Sequence, residues 1–362
     1  MKVLIFTTQF HLLSGAERLA IELAIDLNRY GVHADVLSLY DDGAAGAAAR
    51  AQELRARGVP AVRFLGLPVG PGIGAVFGGI VRLRRLIRTE AYDAVETSQL
   101  SPAVIAAWAT LRTRTRHIGG VHAVFERGVR ESLQSEILRL TAHWAGNTRY
   151  YAISKYAADC WASFAALGRE RVRVIYNAVA DAAFEARSDR PAIEREIEVP
   201  PAARIALFVA RLDQWKGVDT ALEALGPVLA AENLVLVYVG HREEGDPAAC
   251  AMLDAVRARI AREGWEHRVR FLGRREDVFR LMASSDVLVH PTRTEGFGLV
   301  LAEAMAAGLP IVASDVDGIP EVLAETDSVM VPPDDPQALR AATLRVLGWS
   351  SPVRRRAIER GR

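Results

Sequence analysis

The sequence predicts an α/β protein made of two Rossmann-like domains, each with a doubly wound, parallel sheet. Three observations carry that reading. The chain has 362 residues, a length that suits two domains. Short apolar strand patterns alternate with helical ones, the pattern expected of a parallel sheet covered by helices on both faces. The alternation also runs twice, interrupted once by a charged stretch containing prolines.

The first series opens with "KVLIFTT" as a buried strand, "QFHLLSG" as a loop and "AERLAIELAIDLNRYG" as a helix. In that helix Ala16, Leu19, Ala20, Leu23, Ala24 and Leu27 recur at i, i+3, i+4 spacing, and Gly31 supplies a stop. Strands follow at "HADVLSLY", "AVRFLGL", "AYDAVETS", "RHIGGVHA", "YYAISK" and "VRVIYNAV". Residues 181–203, with Pro191, Pro200 and Pro201, break the pattern and are expected as the connection between domains 1–180 and 204–362. The second series contains "RIALFVARL", "LVLVYVG", "VRFLG", "DVLVHPT", "LPIVASD" and "SVMVPP". Open sheets of this kind bind ligands at the carboxyl ends of their strands.

Composition narrows the function classes. Half of the residues are hydrophobic, enough for a sizeable core, and the net charge of +1 gives no general attraction to nucleic acid. Cys160 and Cys250 form neither a metal spacing nor a disulfide framework, which fits a reducing compartment. No apolar run reaches membrane-spanning length, and "MKVLIFTT" lacks the features of a signal peptide. A cytoplasmic location is expected. The string "GPGIGAVFGG" follows no strong strand and reads as a flexible loop, not a dinucleotide fingerprint.

Two stretches could carry chemistry. In "VARLDQWKG", Arg211 and Lys216 flank a loop at a strand end, and Gly217 opens a helix. Cations beside a helix N-terminus make an anion site; the alternative is two solvated loop cations. In "HPTRTEGFGLVLAEAMAAGLP", a buried strand turns into a helix. Glu295 sits in the turn, Gly296 and Gly298 permit close backbone approach, and Glu303 lies on the helix. If Arg211 and Lys216 meet the amides near Gly298, Leu299, Val300 and Leu301, a diphosphate fits between them. Glu303 could then accept from ribose hydroxyls and Glu295 from sugar hydroxyls.

In this order, "VARLDQWKG" and "PTRTEGFGLVLAEAMAAGLPIVASD" resemble the family 4 retaining glycosyltransferases. The resemblance implies the GT-B arrangement, with parallel sheets facing across a cleft. Glu295 and Glu303 match the spacing of the family's paired glutamates, and Arg211 and Lys216 match its basic pair. "SGAERLA" resembles the Gly-rich first loop, placing Gly15 near the phosphates or acceptor. "GGVHAVF" resembles the strand end that carries the active-site histidine, here His122, although a lone histidine at a strand end can also be structural. "YYAISKY" and "VIYNAV" match weaker landmarks around Ser154 and Asn177. Donor contacts are thereby expected from Gly15, Arg211, Lys216, Arg274 of "FLGRRED", Glu295, Gly296, Phe297, Gly298, Leu299, Val300 and Glu303. His122, Glu295, Arg211 and Lys216 are the expected catalytic set.

The chain departs from the family pattern at Ser14 and Asp317, where glycine is common, and at "YVGHREEGDP", which replaces a tight Gly-Asp-Gly-Pro turn. It ends at "VRRRAIERGR", before the aromatic-containing segment and last helix that usually cross back to the first domain, so interdomain closure is not carried over. The implied activity is transfer of a sugar from a UDP- or GDP-sugar donor to a small-molecule, glycan or lipid-linked acceptor, with retention by front-face attack. No metal or cofactor is expected. The alternatives are an inert nucleotide-sugar binder of the same fold and a sugar-nucleotide 2-epimerase. The stretch Phe77 to Arg88, with Arg82, Arg84, Arg85 and Arg88, reads as a helix packed on the first sheet or as a face for the inner membrane surface. Arg112, Arg114 and Arg116 form a second basic run.

Overall fold

The computed structural model describes residues 1–9, 15–40, 45–68, 72–122, 133–144, 146–242 and 246–361. The chain divides into two compact units, Met1–Asn177 and Ala178–Arg362. The first holds a seven-stranded parallel sheet of β1 (Lys2–Thr7), β2 (His33–Tyr40), β3 (Val62–Leu67), β4 (Ala94–Thr97), β5 (Arg116–Val121), β6 (Thr148–Ala152) and β7 (Val172–Val174), in the order β3-β2-β1-β4-β5-β6-β7. The second holds β8 (Arg204–Val209), β9 (Leu234–Val239), β10 (Val269–Phe271), β11 (Val287–His290), β12 (Ile311–Ser314) and β13 (Val329–Val331), in the order β10-β9-β8-β11-β12-β13.

The unbroken apolar runs become central strands because both faces are covered. Along β1, Val3 and Ile5 enter one core cluster while Leu4 and Phe6 enter another across the sheet. On β8, Ala206 and Phe208 face one cluster and Ile205 and Leu207 the other. Each of the larger side chains among these contributes about 1.5–3 kcal/mol by leaving water. In both sheets the order reverses beside the first strand, between β1 and β4 and between β8 and β11. At such a reversal neighbouring strand-end loops part to opposite faces and leave a crevice.

Several expectations need correction. The first helix spans Gly15–Arg29, but its buried stripe is Glu17, Ala20, Ile21, Ala24 and Ile25, while Leu23 is exposed. Alanine and leucine occur on both sides of the apolar arc, so composition did not define its centre. "GPGIGAVFGG" is not a loop throughout: a helix begins at Ile73 and runs to Thr89. Gly79 lies against Leu67 and Ile105, where a larger residue would crowd the packing.

Residues 181–203 are also more than a connection. They form helices Asp181–Phe184 and Arg190–Glu196. Ile193, Ile197 and Ala203 are buried in the second unit's core. The Arg190 guanidinium donates to Asp286 Oδ2 at 2.8 Å and to the Ser284 carbonyl at 2.9 Å. Polar sequence concealed this packing because the apolar side chains that face inward are few and scattered among charged ones.

One glycine and one carboxylate constrain these units. Gly217 has φ +70°, and a Cβ there would run into the Pro291 carbonyl oxygen. This brings the loops after β8 and β11 together. In the first unit Glu96 is buried on β4. Its Oε1 accepts from Ser98 Oγ at 2.7 Å and from Tyr151 Oη at 2.8 Å. Burial pushes the carboxyl up to about 7, against the pull of these two hydrogen bonds.

Two outcomes follow. Gly217→Ala should cost roughly 1–3 kcal/mol through backbone strain and collision, read as a lower melting temperature; an unchanged melt would contradict the loop contact. Because folding raises the Glu96 pKa, its stabilising preference for the protonated form is present below the unfolded value of 4.5 and is lost as pH rises toward about 7. Glu96→Gln should therefore show a smaller fall in stability across that window, measured by denaturant titration at pH 5 and pH 8.

Candidate active site

The second unit builds a cradle from the two loops that flank its sheet reversal. After β8, Asp213 is buried. Its Oδ1 accepts from the Trp215 amide at 2.9 Å, and its Oδ2 lies 3.1 Å from Arg211 Nη2. This turns the loop so that Gly217 caps the helix Val218–Leu225. After β11, the Thr292 hydroxyl and the Arg293 amide both donate to the Trp215 carbonyl, at 3.0 and 2.7 Å. Arg293 bridges Asp219 and Asp334 at 2.9 and 2.8 Å. The two loops are thus one hydrogen-bonded body.

That body joins Lys216 to Glu295. Lys216 Nζ donates to Glu295 Oε2 at 2.8 Å, with only 17% and 19% of the two side chains exposed. Lys216 is therefore not a solvated loop cation; Arg211, at 45% side-chain exposure, comes closer to that description. His290 Nε2 lies 3.4 Å from the same Glu295 oxygen. Burial pushes the Glu295 carboxyl up, but the Lys216 charge and His290 outweigh it and hold the group well below the usual carboxylate range.

Asp317 explains one departure from the expected pattern. It adopts φ +52°, a left-handed conformation that aspartate tolerates better than most residues. Its Oδ2 accepts from Thr294 Oγ1 at 2.6 Å and from the Glu295 amide at 2.9 Å. The Gly318 amide donates to the Glu295 carbonyl at 3.1 Å. A glycine there could follow the same backbone path but could not supply this carboxylate.

Beyond Glu295, Phe297 is buried and Gly298, at φ +79°, caps the helix Leu299–Ala307. The amides of Leu299 and Val300 belong to the first turn, where no preceding helical carbonyl is available to them. Glu303 is buried on the same helix. Lys216 therefore meets Glu295, which leads in sequence into the Gly296–Val300 turn, and Arg211 stands on the loop after β8. Arg274 stands one strand further out. It is exposed in the turn after β10, and β10 is the edge strand, separated from β8 by β9.

In the first unit, His122 directly follows β5. Its Nε2 lies 3.2 Å from Tyr151 Oη. Burial lowers its pKa to about 4, so the ring is neutral at physiological pH. Gly15 is the exposed first residue of its helix, while Ser14 and the preceding loop lie outside the described residues. Ser154 serves the fold. Its hydroxyl accepts from the Ala157 amide at 2.9 Å and caps the helix Lys155–Ala165. Asn177 marks the boundary between the units.

Sequence reasoning missed Arg293, Glu96 and Tyr151. For Glu96 there was a visible cue, a carboxylate inside the apolar strand "AVET". Arg293 stood within the quoted motif, but its partners are distant in sequence. The basic stretch is mixed. Leu83 and Ile87 are buried against the first sheet, and Arg84 donates to the carbonyls of Trp108, Ala109 and Leu111 at 2.9, 3.0 and 2.8 Å. Phe77 and Val81 are 67% and 53% exposed.

Comparison with known proteins agrees with this architecture. A model described as Glycosyltransferase Family 4 matches residues 13–182, and one described as Glycosyl transferases group 1 matches residues 203–348. An uncharacterized glycosyltransferase of Methanocaldococcus jannaschii is 33% identical over 184 residues, covering 49% of this chain and 45% of that protein. The D-inositol 3-phosphate glycosyltransferase of Corynebacterium efficiens is 32% identical over 158 residues, covering 42% and 36%. These matches span less than half the length of the curated relatives. Among solved structures, Anabaena HepE in complex with UDP and glucose superimposes with a TM-score of 0.83 at 22% identity, covering 100% of this chain and 93% of that one. This likeness shows the shared GT-B fold. The two family models, one on each half of the sequence, show that the chain belongs to the family 4, group 1 glycosyltransferases.

Proposed function

We propose that the protein is a retaining glycosyltransferase that moves a sugar from a nucleotide-diphosphate donor to an acceptor hydroxyl in glycan, glycolipid or natural-product synthesis. The observation that carries this reading is the Lys216–Glu295 pair, held at 2.8 Å beside the Gly298 helix start. An ammonium and first-turn amides suit the diphosphate, and an ionised carboxylate suits sugar hydroxyls. Glu303 takes the ribose. HepE, a UDP-glucose complex of the same fold, supports a UDP-sugar donor.

In the proposed reaction the acceptor oxygen attacks on the face from which the diphosphate leaves. The sugar–phosphate bond breaks as the new glycosidic bond forms, and the acceptor proton passes to the departing phosphate. Lys216, Arg211 and the helix amides stabilise the negative charge that develops there. His122, in the first unit, is a neutral imidazole at physiological pH. No metal is assigned a step.

The test is hydrolysis of UDP-glucose and other nucleotide sugars without acceptor, a leak an inert binder lacks. Lys216→Met should lower the rate by about two to three orders of magnitude, with circular dichroism checking the fold. A near-normal rate in that folded variant would remove the diphosphate assignment.

Peripheral membrane contact is a second reading, favoured by the exposure of Phe77 and Val81 beside exposed Arg82, Arg85 and Arg88. Each arginine at an anionic surface contributes on the order of 1 kcal/mol, and salt weakens the attraction. The protein should co-sediment with anionic vesicles at low salt and leave them at high salt. No co-sedimentation at low salt would eliminate this contact.

A further inference from the structure

Tyr151 reaches across a whole strand. It stands on β6, which β5 separates from β4, and its register partner on β5 is Gly120. The phenol lies over that glycine, where a Cβ would come 2.5 Å from the hydroxyl oxygen. Any larger residue at position 120 would block the path. With none there, the Tyr151 hydroxyl meets Glu96 on β4. His122, which directly follows β5, stands edge-on to the same ring, with centroids 5.8 Å apart and planes at 84°.

The hydrogens along this row follow from counting donors and acceptors. At pH 8 the Glu96 carboxyl, which burial raises to about 7, is ionised and only accepts. Ser98 Oγ and Tyr151 Oη approach the same oxygen, Oε1, at 2.7 and 2.8 Å, so each hydroxyl spends its one hydrogen there. Burial keeps the phenol itself protonated. The Tyr151 oxygen therefore has only lone pairs for His122 Nε2, 3.2 Å away, and Nε2 is the donor. Burial lowers His122 to about 4, so the neutral ring carries one hydrogen and Nδ1 is left as its acceptor.

This order is the reverse of what the two rings would adopt by themselves. An imidazole nitrogen is more basic than a phenol oxygen, so an isolated tyrosine would donate to Nε2 and move the ring's hydrogen to Nδ1. A charged acceptor outcompetes a neutral one for a hydroxyl hydrogen, and Glu96 supplies that acceptor on the far side of Tyr151.

We propose that Glu96, acting through the Tyr151 hydroxyl, is a positioning residue for His122: it holds the ring's hydrogen on Nε2 and keeps Nδ1 as the acceptor that the ring offers a substrate hydroxyl. The use of Nδ1 on a substrate rests on the glycosyltransferase reading; the placement of the hydrogen does not.

The test is proton–nitrogen correlation NMR of the full chain with isotope-labelled histidine, at pH 8 and without nucleotide sugar, the His122 signals being assigned by their loss in His122→Gln. The native ring should be protonated at Nε2 and bare at Nδ1. Glu96→Leu frees the Tyr151 hydrogen and should turn the majority form over to Nδ1–H; Glu96→Met serves if the leucine variant does not fold, as judged by circular dichroism. Glu96→Gln, whose amide oxygen still accepts, should keep the native form. In a Tyr151→Phe background, Glu96→Leu should change nothing. A native ring protonated at Nδ1 overturns the proposal. So does Nε2–H persisting in the folded leucine or methionine variant, or the same turnover of the ring without the Tyr151 hydroxyl. Hydrolysis of nucleotide sugars should fall roughly five- to tenfold in Glu96→Leu, the scale of one hydrogen bond, and stay near native in Glu96→Gln. A turned-over ring with undiminished hydrolysis overturns the positioning role. The expected hydrogen placement in a native chain that hydrolyses no nucleotide sugar sinks the transfer reading alone.

Discussion

The second unit's cradle depends on one close approach, that of the Gly217 backbone to the Pro291 carbonyl. Only a residue without a Cβ, free to adopt φ +70°, lets the loop after β8 lie against the loop after β11. Once they touch, the Trp215 carbonyl collects the Thr292 hydroxyl and the Arg293 amide, and Arg293 fastens both loops to Asp219 and Asp334. Lys216 precedes the contact in sequence and Glu295 follows it on the other loop. Their 2.8 Å pairing is a consequence of how the backbones meet, and Asp317 secures the far side by holding the Glu295 amide.

The two units treat a buried carboxylate in opposite ways. Glu295 is provided with an ammonium and a histidine, which keep it ionised despite burial. Glu96 has hydroxyl donors from Ser98 and Tyr151, and burial shifts it toward its neutral form. Hydrogen bonds from neutral groups offset only part of the cost of removing a carboxylate from water, whereas a nearby full charge can exceed it. The second unit's carboxylate therefore stays charged while the first unit's shifts toward neutrality.

Both regions arise at the same topological feature. Strand order reverses at β1/β4 and at β8/β11, and each reversal opens space between adjacent strand-end loops. What differs is the loop chemistry: glycine, cations and helix amides in the second unit, glutamine, histidine and aromatic rings in the first. The shared architecture supplies the positions, and the local residues decide what each position can bind.

The sequence by itself determined the two α/β series, because continuous apolar runs are stable as strands only when both faces are buried. It also determined the Lys216, Glu295 and Gly298 group, because those residue types adjoin strand–helix turns where backbone amides and charge converge. The tertiary structure decided the rest. Residues 181–203 join the second core through a few inward side chains that a polar background hides. Arg274 lies beside an edge strand, a fact set by strand order and not by its neighbours. The side chain of Asp317, the clamp of Arg293 and the pairing of Glu96 with Tyr151 all act across long sequence separations. Linear spacing governs contacts within a turn or a helix; pairing between loops depends on which strands become neighbours, and only the folded sheet settles that.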